Sequence, residues 1–171
     1  GGKGRRLWPC SRSNYPKQFI DFFGVGRTQL QQTYDRMAKI VPADHIYINT
    51  NEVYRDLVKE QLPEVPAERI MAEPIYRNTA PSMAWANHRI SMMNPNACII
   101  ATPSDQAIFN EDAFRKNVLE GLAFVAENDR FLTMGVKPTR PEPGYGYIQM
   151  GDGIGDDIYK VQSFTEKPER D

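Results

Sequence analysis

At 171 residues, the chain has the length of one domain with a sizeable core, and 40% hydrophobic with 25% charged residues reads as soluble and globular. A net charge of −1 argues against a surface built to bind nucleic acid or anionic lipid. Two cysteines, Cys10 and Cys98, are too few for a disulfide framework or a zinc cluster. No apolar run approaches the roughly 18 residues of a membrane span, and with no visible signal peptide the sequence reads as cytoplasmic.

The first stretch, GGKGRRLWPCSRSNYPKQF at residues 1–19, concentrates glycine and cations within a chain that is nearly neutral. Gly-x-Gly permits tight or left-handed turns and leaves amide N–H groups uncovered. Such a loop can wrap phosphates while Arg5, Arg6, Arg12 and Lys17 supply positive charge. It can equally be a glycine turn with solvated basic side chains. Competing phosphate motifs fit worse. No Gly-Lys-Ser/Thr follows at Walker spacing, and a dinucleotide fingerprint needs a third glycine where Arg6 stands.

Residues 28–40 place Leu30, Tyr34, Met37 and Ile40 at helical spacing, with Pro42 ending the element. Residues 45–50, HIYINT, are β-rich, and Thr50 or Asn51 can cap a helix over 52–62. RIMAEP at 69–74 reads as another strand. Thr79 reads as the N-cap of a helix that tolerates Pro81 in its first turn and runs to Met93. NACIIAT at 96–102 has the composition of a strand buried on both faces. A helix over 112–127 and a strand over 130–136 follow. YGYIQM and DIYKVQSFTEK then flank a glycine-rich turn, as in an antiparallel ribbon. Repeated strand–helix alternation predicts a three-layer α/β fold with a mostly parallel sheet, in which ligands bind beyond the carboxyl ends of the strands.

The segments at those ends carry the remaining candidates. In TPSDQ, residues 102–106, Asp105 can hold Mg²⁺ against phosphate oxygens, since that ion uses one or two carboxylates plus water and substrate. It can equally serve as a turn or capping residue. In EPIYRNTAPSM, residues 73–83, the Glu73 carboxylate can accept from the N1–H and amino group of a guanine, a donor pair that adenine lacks; alternatively it is solvated while Asn78 and Thr79 cap the helix. FTEKP at 164–168 sets Glu166 beside Lys167, and the following proline favours a bend that brings both to one side. A carboxylate there can grip sugar hydroxyls while the ammonium meets a sugar phosphate. His45 and His88 lack partners at metal spacing and read as structural.

Taken in order, GGKGRRLWPCSRSNYPKQF, RNTAP, PSDQ, PGYGYI and FTEKP make the chain resemble the nucleotidyltransferase domain of bacterial mannose-1-phosphate guanylyltransferases, within the sugar-nucleotide pyrophosphorylase superfamily. The resemblance implies a Rossmann-like fold and transfer of GMP from GTP to mannose 1-phosphate with release of pyrophosphate, assisted by Mg²⁺. It implies that Gly1, Gly2, Gly4 and Arg5 line the nucleotide phosphates, that Arg6 and Lys17 neutralise them in the transition state, and that Asp105 binds the metal. Glu73, Asn78, Thr79 and Ala80 would surround guanine, and Gly146, Glu166 and Lys167 would meet the mannose phosphate. Arg5 stands where the superfamily often has threonine, and Pro143 replaces another threonine before Gly-Tyr-Gly. The resemblance also implies that residues 1–171 form a single partial domain, lacking a first strand and a C-terminal region with a second metal aspartate. Two rival readings remain: a nucleotide- or sugar-phosphate-binding module without turnover, and a transferase for another sugar or base. Neither nucleic acid nor membrane is expected as a partner, and a homo-oligomer is allowed but not specified.

Overall fold

Thr28 stops the chain before the first helix and caps it reciprocally. Its hydroxyl accepts from the Gln31 N–H at 3.4 Å, and its own N–H donates to Gln31 Oε1 at 2.9 Å. The computed structural model describes residues 7–75, 77–155 and 157–167. The chain divides into two compact units, residues 1–130 and 131–171.

In the first unit, α1 (Gln29–Ala38) buries Leu30, Tyr34 and Met37, three of the four positions that the helical spacing selects. Strand β1 (Ile48–Asn51) pairs in parallel with β2 (Ile70–Glu73), with Asn51 opposite Glu73. Between them runs α2 (Arg55–Gln61), preceded by a 3₁₀ turn that the Asn51 side chain caps by accepting from the Val53 N–H at 3.2 Å. The parallel pair with a helix in the connection is the β-α-β unit that the alternating pattern predicts. All four residues of β2 are buried, as a parallel strand covered on both faces requires. Phe19, Leu30, Met37, Tyr54, Val58 and Leu62 form the centre of the core.

The helix α3 (Thr79–Met93) starts one residue earlier than expected. Asn78, not Thr79, occupies the cap position, at φ 67° and with no side-chain cap bond. Pro81 therefore falls at the third helical residue, still within the turn whose N–H groups have no intrahelical acceptor. The helix α4 (Glu111–Glu127) is capped by Asn110, whose Oδ1 accepts from the Ala113 N–H at 3.0 Å.

Two expected strands do not form. Residues 96–102 and 130–136 run as irregular backbone. Composition alone does not make a strand; a neighbour must supply the complementary N–H and C=O groups, and among the described residues neither run has one. Likewise His45 lies in a 3₁₀ turn (Ala43–His45) rather than at a strand start.

In the second unit, β3 (Gly146–Gly155) and β4 (Ile158–Glu166) form an antiparallel ribbon. The ribbon is longer, and its turn tighter, than the sequence suggests: Gly151, Gly153 and Gly155 belong to β3, with irregularities in register between Gln149 and Gly155. Asp157 leads into β4 at φ 55°. Among the described residues, no helix is long and apolar enough to cross a membrane.

Candidate functional site

Phe19 anchors the segment that carries Lys17. Its side chain is 1% exposed and lies against the Tyr54 ring, with centroids 5.9 Å apart. Burying a ring of this size supplies a few kcal/mol toward fixing a short turn. Lys17 opens that turn (Lys17–Phe19), which Pro16 precedes and two bonds close, Phe19 N–H to Pro16 C=O and Ile20 N–H to Lys17 C=O. The Tyr54 hydroxyl donates to the Ser13 carbonyl at 2.9 Å, fastening the chain just upstream.

Held there, the Lys17 ammonium forms an ion pair with the Asp105 carboxylate. The two side chains are 30% and 25% exposed, so each remains open to an incoming charged group. A pair this accessible adds little to stability, about 1 kcal/mol at most. Two residues singled out from separate motifs, one as a phosphate cation and one as a metal carboxylate, thus meet in one place.

Glu73 ends β2, and the residue as a whole is 7% exposed. Among the described residues, no hydrogen bond or ion pair to its carboxylate is present. Asn78, Thr79 and Ala80 are exposed at the start of α3. That start is tied to β1, because Asn49 Nδ2 donates to the Ser82 hydroxyl at 2.9 Å and to the Ser82 carbonyl at 3.1 Å.

In the second unit, Gly146 faces Glu166 across the open end of the ribbon. A Cβ at 146 would lie 2.9 Å from Glu166 Oε2 and 2.5 Å from Phe164 Cζ, so only glycine leaves both side chains where they are. Lys167 turns to φ 46°, donates its N–H to the Tyr145 carbonyl at 3.1 Å, and reaches the Glu166 carboxylate with its Nζ at 3.0 Å. The expected bend is therefore present, and it brings Glu166 and Lys167 together. The approach to Gly146 is shaped by Glu142, whose N–H donates to the Tyr147 hydroxyl at 2.7 Å and whose Oε1 accepts from the Gly144 N–H at 3.1 Å.

Gly1, Gly2, Gly4, Arg5 and Arg6 lie outside the described residues. Sequence reasoning missed Gln61, which contacts the Lys17 turn from the end of α2. It had no local signal, since its partners stand far away in the chain.

A nucleotidyl transferase family model matches residues 1–171. The mannose-1-phosphate guanylyltransferase RfbM of Salmonella typhimurium is 41% identical over 175 residues, covering 100% of this chain and 36% of the relative. A mannose-1-phosphate guanylyltransferase of Sinorhizobium fredii is 39% identical, covering 98% of this chain and 33% of the relative. The chain thus spans about a third of the length of these curated relatives. A solved structure from Thermus thermophilus, described as a mannose-1-phosphate geranyltransferase, superposes with TM-score 0.85 at 31% identity, covering 99% of this chain and 48% of that one. The α/β architecture with a parallel pair and a C-terminal antiparallel ribbon is therefore a nucleotidyltransferase fold, and the chain belongs to the nucleotidyl transferase family.

Proposed function

We propose that this chain carries the machinery that transfers GMP from GTP to mannose 1-phosphate, releasing pyrophosphate. The observation behind the reading is the meeting of Lys17 with Asp105; the relatives named above supply the substrate class. The acceptor brings its own nucleophile, because a phosphate monoester is already ionised at neutral pH and needs no general base. What opposes reaction is the repulsion between two anionic reactants. Positioned cations lower that barrier and cost no reorganisation when the bond forms. Lys17 supplies one such charge, and Arg6 a second from the glycine loop that Gly1, Gly2, Gly4 and Arg5 would wrap around the phosphates.

Asp105 suits Mg²⁺, as a hard oxygen donor open to solvent on one side. When bound, that ion would shield the negative charge of the phosphate oxygens. Asp105 has a second task that the chain itself performs: it holds the Lys17 ammonium at the site before substrate arrives. Glu73 would accept from the guanine N1–H and amino group, with Asn78, Thr79 and Ala80 around the base. Gly146, Glu166 and Lys167 would bind mannose 1-phosphate, Glu166 on the hydroxyls and Lys167 on the phosphate.

The test is pyrophosphate release by the full-length protein with GTP, mannose 1-phosphate and Mg²⁺, compared with dTTP. Turnover with a strong preference for GTP, reduced in Glu73→Gln, is expected. Binding of GTP without pyrophosphate release would instead identify a non-catalytic module, and equal turnover of dTTP and GTP would remove the guanine assignment.

A further inference from the structure

The last residue of α2 does more than end a helix. Gln61 Nε2 donates to the Phe19 carbonyl at 3.0 Å and to the Tyr15 hydroxyl at 3.2 Å, so one amide nitrogen reaches both sides of Lys17. Its Oε1 accepts from the Thr28 hydroxyl at 2.7 Å, and its main-chain carbonyl accepts from Gln31 Nε2 at 2.8 Å. Both hydrogens of the amide and its oxygen are thereby used. Thr28 and Gln31 are also the two partners of the α1 capping box. The Gln61 side chain thus ties two other segments, the Lys17 turn and the start of α1, to the end of α2.

From this geometry we infer that Gln61 is a positioning residue for Lys17, acting through the turn that carries the ammonium. The inference rests on the proposed role of Lys17. The core fixes Phe19, and the Ile20 N–H bond to the Lys17 carbonyl holds one side of the adjoining peptide. The Gln61 bond to the Phe19 carbonyl holds the other side of that peptide, and the bond to the Tyr15 hydroxyl braces the chain before Lys17. Lys17 is the residue between them, and its Nζ must meet a phosphate oxygen with sub-ångström accuracy to be effective.

The test is a double-mutant cycle in the full-length protein, with active sites titrated so that rates refer to folded enzyme. Gln61→Met removes both donors without adding charge, and Gln61→Glu removes them while keeping the shape. Each is expected to lower kcat about 10- to 100-fold with KM for GTP nearly unchanged, the pattern of an interaction realised in the transition state. In a Lys17→Ala background the same substitutions should have little further effect, because the group they misplace is gone. Tyr15→Phe removes one acceptor from a partly exposed ring and should show the same dependence on Lys17 at smaller amplitude, which covers the case in which the Gln61 variants do not fold. An undiminished loss in the Lys17→Ala background, or full kcat in the Gln61 variants, would overturn the inference. A Lys17→Ala enzyme with normal kcat would instead defeat the proposed function, so the two failures are distinguishable.

Discussion

Gly146→Ala places a single methyl group where the ribbon has no room for it. The added Cβ would stand 2.5 Å from Phe164 Cζ, 3.1 Å from Phe164 Cε2 and 2.9 Å from Glu166 Oε2. To regain ordinary contact the ring must retreat by about 1 Å and the carboxylate by about half that. Phe164 is 60% exposed and can swing outward cheaply. Glu166 is less free, since its carboxylate is paired with Lys167 Nζ at 3.0 Å. The loss of stability should therefore stay near or below about 1 kcal/mol, while the proposed mannose-phosphate site is displaced. A shift of this size should lower kcat/KM for mannose 1-phosphate about 10-fold or more and leave KM for GTP unchanged. The assay is initial-rate pyrophosphate release with mannose 1-phosphate varied at saturating GTP, with urea unfolding as the check on the fold. Gly153→Ala is the control within the same ribbon, because a Cβ there meets nothing nearer than 3.7 Å. Equal mannose 1-phosphate kinetics for Gly146→Ala and the parent would refute the placement of Glu166 in that site.

Leu62 is fully buried, and Leu62→Ala should cost about 2–5 kcal/mol in urea unfolding, as deletion of a packed side chain in a core does; a change within experimental scatter would contradict the core assignment. Asn110→Ala removes the side-chain acceptor at the start of α4 and should cost about 1 kcal/mol by the same measurement. Desolvation raises the Asp21 carboxyl, but the N–H groups of Gly26, Val25, Phe23 and Gly24 together outweigh it and hold the group below its ordinary 3.8. A depressed carboxyl contributes stability that is present above 3.8 and lost as pH falls through the still lower folded value. The difference in urea midpoint between the parent and Asp21→Asn should therefore shrink as pH is lowered below 3.8; a difference independent of pH would contradict it.

Elements whose signals lie within a few residues were readable from the sequence. The Leu30, Tyr34, Met37 stripe marks α1 from local chemistry alone, and the structure adds the Thr28–Gln31 capping box. The ribbon was legible for the same reason, although glycines read as its turn became part of β3. Residues 96–102 failed because apolar composition says nothing about whether a neighbouring strand is present to pair. Thr79 was misread as a cap because threonine suits that position, whereas Asn78 takes it at a positive φ that asparagine tolerates better than most residues. Within the site, Lys17 and Asp105 were each singled out by their own motif, and their meeting appears only in the folded chain. Gln61 could not be found that way. A glutamine at the end of an amphipathic helix looks like any solvated residue, and its bonds to Tyr15, Phe19 and Thr28 exist only after the chain has folded.

The claim beneath all of this is that cations fixed near Asp105 offset the repulsion between two phosphorylated reactants. A crystal structure of the full-length protein with GTP and Mg²⁺ measures it most directly. The account predicts Lys17 Nζ within about 3 Å of a GTP phosphate oxygen, with the Asp105 carboxylate on the metal. Phosphates bound elsewhere, with Lys17 still engaged only by Asp105, would contradict it.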